Sequence, residues 1–95
     1  MYMRIVRAAP NEGQADELAR RWEGFVLPQM RQQLGFRHAY FSIDRSANRT
    51  AVVSLWDTLP DEAGLAAMVE AFRAQVADIV SGPPEIVDYE VVIEA

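Results

Sequence analysis

The single histidine of the chain, His38, stands in the stretch GFRHAYFSID (residues 35 to 44), two positions before Tyr40. An imidazole with an ordinary pKa of about 6.5 accepts a proton near neutrality, which makes His38 a candidate general base. Alternation along an extended segment puts Tyr40 on the same face, where its hydroxyl can hydrogen-bond a substrate oxygen. Trp56 can wall an aromatic ring or orient an oxygen through its indole N–H, and Arg4 can stabilise a developing oxyanion. Each has a plainer role as its alternative: a hydrogen-bonded strand histidine, an interface tyrosine, a packing tryptophan. Trp22, Phe25, Met68 and Phe72 are core residues first, and in a second role the walls of a ligand cavity between helices and sheet.

Composition narrows the chemistry these residues could do. The chain has 95 residues and 51% hydrophobic content, enough for one domain and one core spanning residues 1 to 95. Its net charge is −5 and its nine basic residues are all arginines, scattered from Arg4 to Arg73. Nucleic acid and anionic membrane surfaces both require a concentrated basic patch, so neither is an expected partner. The absence of cysteine excludes disulfides, thiolate metal sites and a cysteine nucleophile. With one histidine and no flanking carboxylates at ligand spacing, no metal site is expected. No glycine-rich phosphate loop, serine elbow or dinucleotide fingerprint occurs. No apolar run reaches membrane-spanning length and no signal peptide pattern is present, so a cytoplasmic location is the expectation.

Six elements must position the candidate residues. MRIVRAA (3 to 9) reads as a strand stopped by Pro10-Asn11. Asn11, with Gln14 three residues later, is placed to cap a helix over about 12 to 33, whose apolar stripe is Leu18, Trp22, Phe25, Val26 and Met30. Pro28 predicts a kink or break near 24 to 28. Phe36 to Ile43 and Thr50 to Trp56 are β-rich and joined by a polar connection of hairpin length. Thr58, Pro60 and Asp61 open a second helix with Leu65, Val69, Phe72, Val76 and Ile79 on one face, and Ser81-Gly82-Pro83-Pro84 ends it. Ile86 to Ile93 forms the last strand. The order β-α-β-β-α-β predicts a ferredoxin-like α+β fold, with a four-stranded antiparallel sheet and both helices on one face.

Alternation sorts the strand residues into two sets. One is Met3, Ile5, Ala39, Phe41, Ile43, Ala51, Val53, Leu55, Val87, Tyr89 and Val91; being almost wholly apolar, it is assigned to the helix-covered core. The other is Arg4, Val6, Phe36, His38, Tyr40, Ser42, Val52, Ser54, Trp56, Asp88, Glu90 and Val92. Its aromatics are too many for a solvated face, which predicts a homodimer joined through this side of the sheet, with Arg4 paired to Asp88 or Glu90.

The stretches LGFRHAYFSID and TAVVSLWDT, followed by an acidic residue opening an amphipathic helix, resemble the antibiotic biosynthesis monooxygenase domain family over nearly the whole chain. The matching features are Gly35-Phe36, the hairpin and Trp56 at the end of the third strand. The resemblance implies a dimeric α+β barrel. It also implies, in one branch, cofactor-independent oxidation of phenolic or quinol-like compounds to quinones by dioxygen; other relatives degrade haem, isomerise small lactones or act on short signalling molecules. The haem-degrading branch uses an asparagine on the first strand and a tryptophan and histidine on the second helix, none of which this chain has. The expectation is therefore a cofactor-free monooxygenase acting on an aromatic small molecule through His38, Tyr40 and Trp56, with Arg4, Trp22, Phe25, Met68 and Phe72 binding it. The alternative is a non-catalytic dimeric barrel that binds a small hydrophobic ligand or serves as an assembly module.

Overall fold

A computed structural model describes residues 1 to 95. The elements are β1 (Tyr2–Ala8), α1 (Ala15–Arg31), β2 (Phe36–Asp44), β3 (Arg49–Trp56), α2 (Glu62–Gln75) and β4 (Glu85–Glu90). The four strands form one antiparallel sheet in the order β2-β3-β1-β4. This is the ferredoxin-like arrangement, in which each helix crosses over between strands that do not follow one another in the sheet.

Helix α1 supplies the main contact with the sheet. Ala15, Leu18, Trp22, Val26 and Met30 recur every three or four residues and are all buried, which is the stripe a helix lays on a core. Trp22, Val26 and Met30 pack with Val52 and Trp56 of β3, while Leu18 packs with Val76 and Ile79 beyond the end of α2. The expected break near Pro28 does not occur: α1 runs as one helix to Arg31. Proline there removes one donor in the helix's last turns, where few bonds remain to be lost. The Gln29 side chain also donates to the Phe25 carbonyl at 2.8 Å, satisfying an acceptor on the same stretch.

Asn11 does not cap α1. The helix begins after Gln14, whose side chain makes no capping bond. Asn11 instead ties the start of α1 to the end of α2: its backbone N–H donates to the Ile79 carbonyl at 2.7 Å and its side-chain amide to the Asp78 carbonyl at 3.3 Å. Arg21 reinforces that junction, donating to both carboxylate oxygens of Asp78 at 2.7 and 3.2 Å and to the Gln75 carbonyl at 3.0 Å. α2 ends at Gln75, one turn short of the periodic stripe, and Val76 and Ile79 reach the core from the turns that follow.

These exposed pairs set an acid limit. The Arg21 guanidinium holds the Asp78 carboxyl below its ordinary value of 3.8, and Arg45 does the same for Asp16. A carboxyl whose pKa is depressed on folding stabilises the fold above its unfolded pKa, and that contribution disappears as pH falls below it. Between about pH 4 and pH 2, melting temperature should therefore fall less steeply in Asp78→Asn than in the native chain. Thermal melts followed by circular dichroism at pH 6, 4 and 2.5 test this, and equal slopes would remove the assigned role.

The expected division of the two sheet faces is corrected by the register. Arg4 pairs with Ser54 on one side and Asp88 on the other, and Val6 pairs with Val52 and Ile86. Arg4, Thr50, Val52, Ser54 and Trp56 are buried under the helices. In β1, β3 and β4 it is thus the set Arg4, Val6, Val52, Ser54, Trp56 and Asp88 that faces the core, and Met3, Ile5, Ala51, Val53, Leu55, Val87 and Tyr89 that face away. Only β2 keeps its expected inward residues, Ala39, Phe41 and Ile43, opposite Ser54, Val52 and Thr50. A register shift between Phe36 and His38 turns Phe36 inward as well, where it meets Trp56 edge-on with centroids 5.2 Å apart. The bulge is what lets Phe36 and Ala39 share a face despite their odd spacing.

At the sheet's end, the β1–β4 ladder pairs Tyr2 with Glu90, and the Val91 N–H donates to the Met1 carbonyl at 2.9 Å. The last strand therefore stops at Glu90 rather than Ile93, and Val92 and Ile93 stand exposed.

Candidate functional site

Helix α2 presents Leu65, Met68, Val69 and Phe72 toward the sheet, yet none of its side chains is fully buried. It stands off the sheet rather than packing flat on it. The space beneath is a cavity of about 120 Å³ lined by these four residues, by Trp22, Val26 and Met30 of α1, by Phe41, and by Val6 and Val52 of the central strands. The wall is apolar almost throughout. Its polar members are Arg4, Thr50 and Arg73.

Arg4 is the decisive one. It is 5% exposed, and it is the only charged residue fully buried in the chain. Its burial is made tolerable by a bidentate ion pair: Nε donates to Asp88 Oδ1 at 2.7 Å and Nη2 donates to Asp88 Oδ2 at 3.0 Å. The planar guanidinium fits both carboxylate oxygens at once. The two residues face each other across neighbouring strands because the antiparallel register places Arg4 opposite Asp88, the pairing that the alternation pattern suggested. Nη1 takes no partner from the chain, and no buried side-chain nitrogen or oxygen is left unsatisfied, so this nitrogen opens onto accessible space. Arg4 also lines an open groove beside the cavity, whose walls include Asp88, Leu59, Glu62, Leu65, Glu70 and Ile86. Arg4 lies where the apolar space meets the groove, and Asp88 lies on the groove side.

The expected site residues are divided by this geometry. Arg4, Trp22, Met68 and Phe72 line the cavity. Phe25 does not; it stacks behind Phe72 with centroids 5.9 Å apart and supports that wall. Trp56 is 1% exposed and outside the cavity lining, with its indole N–H donated to Ser54 Oγ at 2.9 Å. His38 and Tyr40 pair with Leu55 and Val53 on the opposite face of the sheet, where both are exposed. The structure does not bring them together with Arg4. Asp88, absent from the expected set, is the titratable group that lies beside it. Its signal in the sequence was the pairing with Arg4; what concealed its importance was the reversed assignment of faces. No group of three or more His, Asp or Glu side chains converges on a point suited to a metal ion.

No family model and no curated sequence matches the chain. Solved structures do. A candidate antibiotic biosynthesis monooxygenase from Bordetella bronchiseptica superposes with a TM-score of 0.77 at 16% identity, covering 97% of each chain. Its fold is that of the antibiotic biosynthesis monooxygenases. A monooxygenase from the gene ActVA-Orf6 of Streptomyces coelicolor, solved with the ligand Nanaomycin D, superposes with a TM-score of 0.72 at 15% identity over 99% of this chain and 92% of that one. A Nitrosomonas europaea protein of unknown function, NE2512, superposes with a TM-score of 0.71 at 23% identity, over 99% and 91% of the two chains. No helix of the chain is long and apolar enough to cross a membrane.

Proposed function

We propose that the chain is a cytoplasmic, cofactor-free monooxygenase for a small phenolic or quinol-like molecule, working as a homodimer. The observation that carries the reading is the apolar helix–sheet cavity whose buried charged group, Arg4, keeps one nitrogen free for a ligand oxygen. The aromatic body of the substrate lies among Trp22, Met68 and Phe72, and its hydroxyl meets Arg4. Asp88 replaces His38 as the base, reached through one water because it lines the groove rather than the cavity and holds the Nε–Nη2 edge of Arg4. The phenolate so formed is held by Arg4, and an electron-rich anion in a dry pocket transfers an electron to dioxygen directly. For a phenol with a free para position, one oxygen atom of O2 becomes the second carbonyl of the quinone and the other leaves as water. The four electrons that reduce O2 all come from the phenol, so no external reductant is required.

Oxygen consumption with a panel of phenols, quinols and anthrones tests the reading. With phenols and anthrones one O2 should be consumed per quinone formed and 18O from labelled O2 should appear in the product, whereas a quinol, which already carries both oxygens, should give its quinone and hydrogen peroxide without label. If no member of the panel is oxidised, the non-catalytic ligand-binding barrel replaces the enzyme.

The dimer rests on the uncovered side of the sheet. Met3, Ile5, Ala51, Val53, Leu55 and Val87 are only partly buried in the single chain, and Tyr40 and Tyr89 beside them are 59% and 47% exposed. This side is more apolar than the one first expected to meet a partner, since Arg4, Ser54 and Asp88 are not on it. A contiguous surface of that kind is covered in stable proteins, and a second copy related by a two-fold axis covers it symmetrically. Light scattering should give the mass of two chains for the native protein and one for Val53→Glu, whose charge falls in the middle of the contact. A native mass of one chain at every concentration would sink the dimer.

A further inference from the structure

We infer that the cavity takes a neutral, single-ring ligand whose hydroxyl or carbonyl oxygen meets Arg4 Nη1, and that Asp88 makes the same site reject the corresponding carboxylate. The inference rests on the cavity being the site proposed above, though not on its oxygen chemistry. Two observations support it, one of size and one of charge.

The cavity holds about 120 Å³. A dry, aliphatic cavity of roughly 150 Å³ accepts benzene. The space beneath α2 therefore suits one six-membered ring, and anything larger extends past Arg4 into the groove.

Charge decides which ring substituent is welcome. A buried arginine in an apolar wall ordinarily recruits a carboxylate, but here that place is taken: Asp88 occupies Nε and Nη2 in a bidentate pair. The second arginine of the cavity wall, Arg73, lies 3.7 Å from Glu70. Glu62 lines the groove as well, so around the ligand's path two arginines face three carboxylates. An anionic ligand would enter a region already carrying excess negative charge and would lose its hydration in doing so. A neutral hydroxyl or carbonyl oxygen accepts the free Nη1–H without that penalty, and it leaves the Arg4–Asp88 pair intact.

Binding measured anaerobically by calorimetry separates this from catalysis. The probes are 4-ethylphenol, 4-ethylbenzamide and 4-ethylbenzoate, which share ring and length and differ in charge. The native chain should bind the phenol and the amide at least about tenfold more tightly than the benzoate. Asp88→Asn, which keeps the shape of the pair and removes its negative charge, should reverse that order and make the benzoate the tightest ligand. Equal affinities in the native chain, or an unchanged order in a folded Asp88→Asn, would overturn the inference. Should that variant fail to fold, Glu62→Gln at an exposed position on the groove should narrow the ratio, and no narrowing would overturn it. Failure of all three probes to bind at millimolar concentration removes the inference together with the site. Charge-selective binding without any oxygen consumption upholds it and removes only the oxygenase chemistry.

Discussion

Trp56→Ala should lower the free energy of unfolding by about 3–5 kcal/mol, the range for deleting a large aromatic from a core. Trp56 is 1% exposed and packs with Trp22, Val26, Met30 and Val52 in the principal core cluster. Phe36 rests on it edge-on, so the alanine removes that aromatic contact as well. The loss also takes away the donor to Ser54 Oγ, a hydroxyl that is itself 1% exposed and has no water to turn to. Trp56→Phe fills most of the volume and should recover more than half of the loss. Urea unfolding curves measure both, and a change below about 1 kcal/mol for the alanine would show that the cluster collapses around the gap.

Arg4→Met should reduce oxygen consumption with the best phenolic substrate by about 10²–10³-fold, the scale seen when a donor to a developing oxyanion is removed. Methionine keeps most of the length and the apolar stem, so the wall of the cavity is retained. The partner Asp88 has a side chain 37% exposed, so water replaces the guanidinium and the carboxylate is not stranded. The fall should appear mainly in kcat, since packing against Trp22, Met68 and Phe72 still binds the ring. A rate within threefold of native would remove Arg4 from the chemistry, whatever its part in holding β1 to β4.

The architecture was readable because its signals are local. The stripe Leu18, Trp22, Val26, Met30 and the hairpin around Arg45 to Asn48 each fix an element without reference to the rest of the chain. The faces of the sheet were not readable in the same way. In β3 the alternate residues are Val52, Ser54 and Trp56 against Ala51, Val53 and Leu55, and both series suit burial. Alternation identifies a core face only when the other face is polar. In β2, where His38, Tyr40 and Ser42 stand against Ala39, Phe41 and Ile43, the pattern discriminates, and there the inward residues are the expected ones. Phe36 escaped because a bulge shifts it by one position, and bulges leave no regular trace in a sequence. The site inherited the error. With Arg4 and Asp88 turned outward, the ion pair read as rim polarity, and His38 and Tyr40 stood beside them as companions on one surface. Register across the sheet, which joins residues 84 positions apart, separates the two groups.

Helix α2 contributes no fully buried side chain, while the buried stripe of the fold belongs to α1. The element that shapes the binding space is thus not the element that holds the molecule together. Substitutions at Leu65 or Val69 alter what fits beneath the helix without touching the core clusters, whereas changes under α1 strike the core itself. A scaffold divided in this way can exchange one ligand for another by rewriting a single helical wall, and descendants of the same fold can diverge in what they recognise long before they diverge in shape.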